Sequence, residues 1–453
     1  MTHRIQRRQL RPGGPTSFVK NERTQMGQQP AGQRRRWSCG WAAATNSHTI
    51  EECNHDKCHY PDERHRSQTA MNGMPDGARQ GSREPSSTRV DSRFQTLIVQ
   101  PATLCNLDCT YCYLPSRGRQ TLMTVKVAQQ LALSIEEQAS VARVDVVWHG
   151  GEPLTTPVDH MRRLLLPFEP LRAAGRVRHF VQTNATLISP AWIEVFAEYS
   201  FAVGVSIDGP EAQNAGRVNR SGRPAFAQTM AGIDKLREAG IEFSAICVVT
   251  AETIAHADDL LAFFASLGCV TVGFHIEERE GPNTHREQVT PEQAETFWGR
   301  LWQLRPRYPG LHIRDLERFG EWLRRARSGI SRVASLYDPI PTVSAAGHVV
   351  VLSPELLGTV APAHQNFIVG NVLTESLLSI MNRLPTVGYV AEFERGLQAC
   401  ARTCEFWDFC RGGQASNRFF EHGRFDTTET NYCRTTYQAV VRSALQQIKG
   451  GIL

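Results

Sequence analysis

The eight residues Cys105-Asn106-Leu107-Asp108-Cys109-Thr110-Tyr111-Cys112 follow almost directly on Thr96-Leu97-Ile98-Val99-Gln100-Pro101. The apolar run is predicted as a strand. Pro101 cannot donate to a β-ladder, so it ends the strand and leaves the cysteines on the loop beyond. Three thiols spaced by three and then two residues can hold three corners of a cubic iron–sulfur cluster. The fourth iron then has no protein ligand, which suits a catalyst better than an electron carrier. Zinc is the competing reading, because closely spaced cysteines also form zinc knuckles. Zinc would want a fourth Cys or His nearby, and the nearest downstream is His149.

Outward from this loop the texture is an alternation of strands and helices. Strands are predicted over 96–101, 144–148, 177–182, 202–207, 242–249 and 270–276. The helices between them are placed near 124–140, 158–173, 190–199, 225–239 and 256–267, the first with Val127, Leu131 and Ile135 on one face. Six strands joined by amphipathic helices call for a parallel sheet of right-handed βαβ units. Ligands of such sheets sit beyond the carboxyl ends of the strands. The cysteine loop, Gly150-Gly151-Glu152, Gln182-Thr183-Asn184 and Ser206-Ile207-Asp208-Gly209 all fall at those ends, which predicts one shared site. Gly150 and Gly151 let the backbone approach a ligand closely, although a tight turn would use them equally. Asp208 is a loop carboxylate near the substrate side, or a turn residue of Asp-Gly-Pro chemistry. Cys247 and Cys269 lie on or beside predicted strands without partners and are read as small core residues.

The spacing of Cys105, Cys109 and Cys112, with Tyr111 before the last cysteine, resembles the signature of the radical S-adenosylmethionine (SAM) enzymes. Trp148-His149-Gly150-Gly151-Glu152-Pro153-Leu154 is similar to their GGEP motif, and it comes about one strand–helix–strand unit later. The resemblance implies a partial (β/α)6 TIM-like barrel holding a [4Fe–4S] cluster and SAM. The open iron would take the amino and carboxylate groups of SAM. An electron, from reduced flavodoxin or ferredoxin, would cleave SAM to methionine and a 5′-deoxyadenosyl radical that abstracts hydrogen from the substrate. On this pattern Gly150 and Gly151 present backbone groups to the SAM amino group and Glu152 orients the turn. Asn184 and Ser206 reach the ribose or carboxylate of SAM. Arg217, resembling the arginine that follows Ser-Ile-Asp-Gly in peptide-modifying members, pairs with the carboxylate.

A second group, Cys400, Cys404, Cys410 and Cys433, supplies four thiolates and closes a coordination shell. That fits an electron-transfer or structural cluster, with zinc as the alternative. Cys410-Arg411-Gly412-Gly413-Gln414-Ala415-Ser416-Asn417, Glu421-His422-Gly423 and Thr428-Glu429-Thr430-Asn431-Tyr432-Cys433 resemble the SPASM domain of peptide maturases. Ser353-Pro354-Glu355-Leu356-Leu357-Gly358 and Phe367-Ile368-Val369-Gly370-Asn371 are similar to the branch that installs three-residue cyclophane crosslinks. A full SPASM domain carries about seven cysteines, whereas none lies here between Cys269 and Cys400, so one auxiliary cluster, of [4Fe–4S] type, is expected. The first pair is spaced CxxxC rather than CxxC, and an arginine follows Cys410 where close relatives have glycine. The expected organisation is a low-complexity, disordered tail over 1–92, the barrel over 93–285, a helical bridge over 286–340 and a SPASM-type domain over 341–453.

The resemblance implies a precursor peptide as substrate. Hydrogen is lost from Cβ of one residue, and that carbon bonds to an aromatic ring carbon two positions earlier. The auxiliary cluster would take the electron released, and Asp208, Asp338 or Glu355 the proton. The rival activities are formylglycine formation of the sulfatase-maturing type and thioether formation. A nonenzymatic zinc-binding interaction protein is the rival from another class. The leader of the peptide is expected to dock on the barrel or bridge, adding a strand to an exposed edge.

The 453 residues are 41% hydrophobic and 21% charged, ordinary for a globular chain. A net charge of +5 is too mild to suggest a nucleic-acid partner, and no apolar run approaches the ~18 residues of a membrane span. Twelve cysteines in tight groups favour metal over disulfides in an intracellular enzyme. The opening residues lack the apolar core of a secretory signal, and a cytoplasmic protein is expected. The first ninety or so residues are polar and aperiodic. They contain His48, Cys53, Cys58, His59 and His65, a weak zinc pattern, as well as Met71 and Met74 as alternative starts.

Overall fold

The computed structural model describes residues 89–138, 142–328 and 336–451. The expectations for the tail, with its His and Cys residues and alternative starts, lie outside the described residues up to 88. Among the described residues ten strands form one sheet: β1 (Thr96–Val99), β2 (Val144–Trp148), β3 (Val177–Thr183), β4 (Ala202–Ser206), β5 (Phe243–Val249), β6 (Thr271–Ile276), β7 (His312–Ile313), β8 (Thr342–Val343), β9 (His348–Val350) and β10 (Gly370–Asn371). Their order is β10-β9-β8-β1-β2-β3-β4-β5-β6-β7.

From β8 through β1 to β7 every pairing is parallel. The register runs Val99↔Trp148, Trp148↔Val181, Thr183↔Val205, Ser206↔Ile246 and Val249↔Ile276, so the strands finish along one rim. All the loops that were read as site loops leave from that rim.

Each helix returns the chain to the start of the next strand and buries the face that its periodicity marks. In Val125–Glu137 the side chains of Val127, Leu131 and Ile135 are buried. Helix Pro190–Glu198 begins at Ser189, whose hydroxyl accepts from Trp192 N, with proline in its first turn. The expected single helix over 158–173 is instead Val158–Leu165, a 3-10 turn Leu166–Phe168 and Glu169–Ala173. Pro167 and Pro170 are the reason, since proline removes a helix donor and clashes with the preceding turn.

Beyond the sixth strand the chain stays on the same sheet. Helix Pro291–Leu304 starts from a capping box of Thr290 and Gln293 and packs against Ala257–Leu267 and Ala439–Lys449. Strand β7 then adds to β6, and helix Arg314–Arg327 follows. Further on, β8 lies parallel to β1 at Ile98↔Thr342, and β9 turns back antiparallel. The cysteine-bearing C-terminal helices Gly388–Thr403 and Trp407–Cys410, and a π-helical turn Cys433–Gln438, follow. No helix among the described residues is long and apolar enough to cross a membrane.

Candidate active site and second cysteine centre

A cavity of about 350 Å³ opens at the carboxyl rim of the sheet. Cys105, Cys109 and Cys112 line it together with Gly151, Asn184, Ser206 and Arg217. Burial pushes the Cys105 thiol up to about 12 and that of Cys109 to about 11, so a metal centre there would have to displace protons. A lone zinc ion holds its sulfurs at ~2.3 Å and therefore draws them close together. Among the described residues no three Cys, His, Asp or Glu side chains converge in that way. Cys105, Cys109 and Cys112 all line one cavity of about 350 Å³, which has room for a cluster as well as for a small ligand beside it.

The loop is held from two sides. Thr110 N and Asp108 N donate to Gly216 O (3.0 Å) and Val218 O (2.7 Å), and Arg220 Nε donates to Cys105 O at 3.0 Å. On the other side Glu152 N donates to Leu104 O at 2.8 Å. Gly151, at φ +68°, lies flat on the loop, where a Cβ would stand 2.7 Å from Leu104 O, 2.8 Å from Thr103 O and 2.9 Å from Ala102 O. The close approach that Gly151 permits is thus to the cysteine loop, while Gly150 packs on the Gln100 side chain.

Glu152 is consumed in the same clamp. Its Oε1 accepts from Leu154 N (3.0 Å) and Thr183 Oγ1 (2.7 Å), and its Oε2 from Asn184 N (2.8 Å). Burial raises its carboxyl to about 7 in spite of these three donors. The Asn184 amide donates to Asn106 Oδ1 at 3.0 Å, which ties the end of β3 to the cysteine loop. Ser206 Oγ accepts from Gln182 Nε2 at 2.7 Å. The Gln182 Oε1 is buried and has no hydrogen-bond partner, an acceptor left over in the wall of the cavity.

The three carboxylates proposed as proton acceptors part company. Asp208 does not line the cavity. Its Oδ1 accepts from Arg217 Nη2 (2.9 Å) and Val248 N (3.0 Å), and its Oδ2 from the Tyr111 hydroxyl. With side-chain exposures of 7% and 3%, Arg217 and Asp208 form a buried ion pair. Asp208 therefore serves to hold Arg217, whose Nε remains a buried donor without a partner. Asp338 lies at the wrong end of the sheet: it bonds to Ile340 N, to Thr96 and to the Gln95 backbone, where β1 begins rather than where it ends.

Glu355 does line the cavity, and the fold brings Glu278 and Glu280 to the same wall. Burial raises all three carboxyls, and Glu280 and Glu355 raise Glu278 further by like-charge repulsion. Tyr113 stands among them, with its hydroxyl 3.3 Å from His149 Nε2. Neither Glu278 nor Glu280 was singled out in the sequence, where Glu277-Glu278-Arg279-Glu280 opens a charged stretch. The available signal was their position just after β6, on the rim that carries the other site loops.

The second cysteine group also closes on one place. Cys400, Cys404, Cys410 and Cys433 all line a cavity of about 260 Å³. The Cys410 thiol donates to the sulfur of Cys433, which drops to about 6 while Cys410 rises. Arg418 Nη2 donates to Cys400 Sγ at 3.4 Å.

Residues 99–264 match the family model of the Radical SAM superfamily. The chain is 32% identical over 372 residues to the uncharacterized protein sll1766 of Synechocystis sp., an alignment that covers 78% of this chain and 92% of that one. It is 26% identical over 368 residues to the serine-type anaerobic sulfatase-maturating enzyme of Bacteroides thetaiotaomicron, covering 76% and 87%. Among solved structures it superposes on native anSMEcpe with bound AdoMet and Cp18Cys peptide, with a TM-score of 0.63, 20% identity and coverage of 79% and 98%. It also superposes on Streptococcus suis SuiB bound to precursor peptide SuiA, with a TM-score of 0.56, 15% identity and coverage of 76% of each chain. These two likenesses show a shared fold. Together with the cysteine loop at the rim of a parallel sheet, the comparisons establish that the chain belongs to the radical SAM superfamily, enzymes that work with SAM and a [4Fe–4S] cluster.

Proposed function

We propose that this enzyme is a peptide maturase that crosslinks a ribosomally made precursor, joining Cβ of one residue to an aromatic ring carbon two positions earlier. One observation carries the proposal: Glu278, Glu280 and Glu355 stand in the wall of the cavity that begins at Cys105, Cys109 and Cys112, and Glu278 also lies within electrostatic reach of Cys433 at the second centre. Forming the new bond removes a hydrogen atom from Cβ and a proton plus one electron from the ring. A radical source, a proton acceptor and an electron acceptor are therefore needed in one line.

Cys105, Cys109 and Cys112 would hold the cluster that binds SAM, and Cys400, Cys404, Cys410 and Cys433 the auxiliary cluster. When bound, the first supplies the electron, drawn from reduced flavodoxin or ferredoxin, that cleaves SAM to the hydrogen-abstracting radical, and the second accepts the electron released by the ring. Asp208 and Tyr111 hold the Arg217 guanidinium at the cavity wall, where it would pair with the carboxylate of bound SAM. Glu152 and Asn184 keep the cysteine loop and the Gly150-Gly151 turn in register. Burial and like-charge repulsion raise all three carboxyls, so any of Glu278, Glu280 and Glu355 that is ionised is a stronger base than an exposed carboxylate and suited to take the ring proton.

Formylglycine formation is the second reading, favoured by the similarity to a serine-type sulfatase-maturating enzyme over most of the chain. Both reactions remove two hydrogens from the substrate, so mass alone does not separate them. The test is reaction of the product with a hydrazide, followed by fragmentation. A crosslinked product ignores the hydrazide and does not fragment within the three-residue ring. A hydrazide-reactive product that fragments freely would replace crosslinking with aldehyde formation.

A further inference from the structure

We propose that Arg418, backed by Arg318, sets the reduction potential of the second centre by acting as its buried counter-cation. The inference rests on the reading that Cys400, Cys404, Cys410 and Cys433 hold an iron–sulfur cluster. Arg418 is 1% exposed and ranks among the largest fully buried side chains. Its Nη2 donates to Cys400 Sγ (3.4 Å) and to Gly412 O (2.9 Å), and its Nη1 to Phe425 O (3.1 Å). The guanidinium carbon sits 4.9 Å from the centroid of the Phe393 ring. None of these partners is a carboxylate, and among the described residues no ion pair joins Arg418 to one. A guanidinium stays charged at every pH a protein meets, and burying that charge without an anion is costly.

The fold nevertheless reserves the space. Gly396 lies inside helix Gly388–Thr403, where glycine is a poor helix former. A Cβ there would stand 2.1 Å from Arg418 Nη1, so the glycine admits the guanidinium. Arg318 contributes less directly, since Asp315 as well as Cys410 lies within its electrostatic reach. Its guanidinium lies 4.4 Å over Tyr437, a residue lining the cysteine cavity, and 5.2 Å over Phe409. Its Nε and Nη2 are buried without hydrogen-bond partners.

The missing anion is the cluster itself. With four thiolates a [4Fe–4S] centre carries a net charge of about −2 oxidised and about −3 reduced. A fixed cation and an N–H···S bond both favour the more negative form, so both raise the potential and make the centre a better electron acceptor.

The test uses the full chain with Cys105, Cys109 and Cys112 changed to Ala, so that iron and EPR signal report the second centre alone. Arg418→Gln removes the charge but keeps a donor, and Arg418→Lys keeps the charge. In redox titrations followed by EPR, R418Q is expected to lower the reduced-to-oxidised ratio at fixed potential at least tenfold, ~59 mV for one electron, with R418K much closer to the parent. Equal potentials for R418Q and the parent overturn the proposal. So does loss of iron from both variants, which would make Arg418 a structural brace. If R418Q alone loses iron, Arg318→Gln decides, because no hydrogen bond joins Arg318 to a cysteine. A shift in the same direction supports the proposal, and an unchanged potential overturns it. Absence of iron in the parent itself would instead defeat the cluster reading on which the inference stands.

Discussion

Gly151→Ala should dismantle the SAM-side centre and spare the other. The new Cβ would meet three main-chain oxygens at 2.7, 2.8 and 2.9 Å, those of Leu104, Thr103 and Ala102, and none of them can swing aside as a side chain does. Holding alanine at φ +68° costs ~1–2 kcal/mol, and overpacking against rigid backbone adds ~1–3 kcal/mol. The sum, ~2–5 kcal/mol, is a large part of the 5–15 kcal/mol that typically holds a domain together. The cheapest relief is for the cysteine loop to lift away from the turn. That breaks the 2.8 Å bond from Glu152 N to Leu104 O and moves Cys105 relative to Cys109. Iron and acid-labile sulfide on anaerobically reconstituted protein read the result. About eight irons per chain should fall to about four, with 5′-deoxyadenosine formation lost. Gly175→Ala is the control: at φ +71° with nothing within 4 Å, it bears the backbone strain alone and should keep its iron. A G151A protein with about eight irons and normal SAM cleavage would refute the clamp.

Other substitutions separate the carboxylates. Asp208→Asn leaves Arg217 charged and unpaired in a buried site and should cost ~3–5 kcal/mol, read as a lower melting temperature together with weaker SAM binding; a native melting curve would show that the pair is not needed. Glu355→Gln should leave SAM cleavage intact while the yield of crosslinked peptide per deoxyadenosine falls ~10²-fold, and an unchanged ratio would remove Glu355 as proton acceptor. Burial raises the Asp338 carboxyl to about 7, so between roughly pH 4 and pH 7 the folded chain keeps a proton that the unfolded chain has released. Stability should therefore fall as pH rises through that window, and Asp338→Asn should flatten the fall in urea titrations at about pH 5 and pH 8.

The parts of the molecule that depend on near neighbours in the chain were legible in the sequence. The six barrel strands follow from local periodicity and side-chain chemistry. So does the grouping of Cys105, Cys109 and Cys112 at a strand end, because the order of a βαβ chain puts every such end on one rim. Pro167 and Pro170 were equally local, and they break the helix that periodicity alone had joined.

What the sequence could not assign is which polar groups spend their hydrogen bonds on each other. Asp208 looked like a free loop carboxylate until Arg217, Tyr111 and Val248 were seen around it. Asp338 and Glu355 were indistinguishable as candidates until the pairing of β8 with β1 set one at the beginning of the strands and the C-terminal turn set the other against the cavity. Glu278 and Glu280, in a charged run typical of solvent, were buried beside Glu355 by contacts across the fold. The sequence by itself determined the six barrel strands, the cysteine spacing and with them the family. Only the tertiary structure decided which carboxylates remain available and where buried arginines meet the second centre, because burial and charge pairing are properties of neighbours in space.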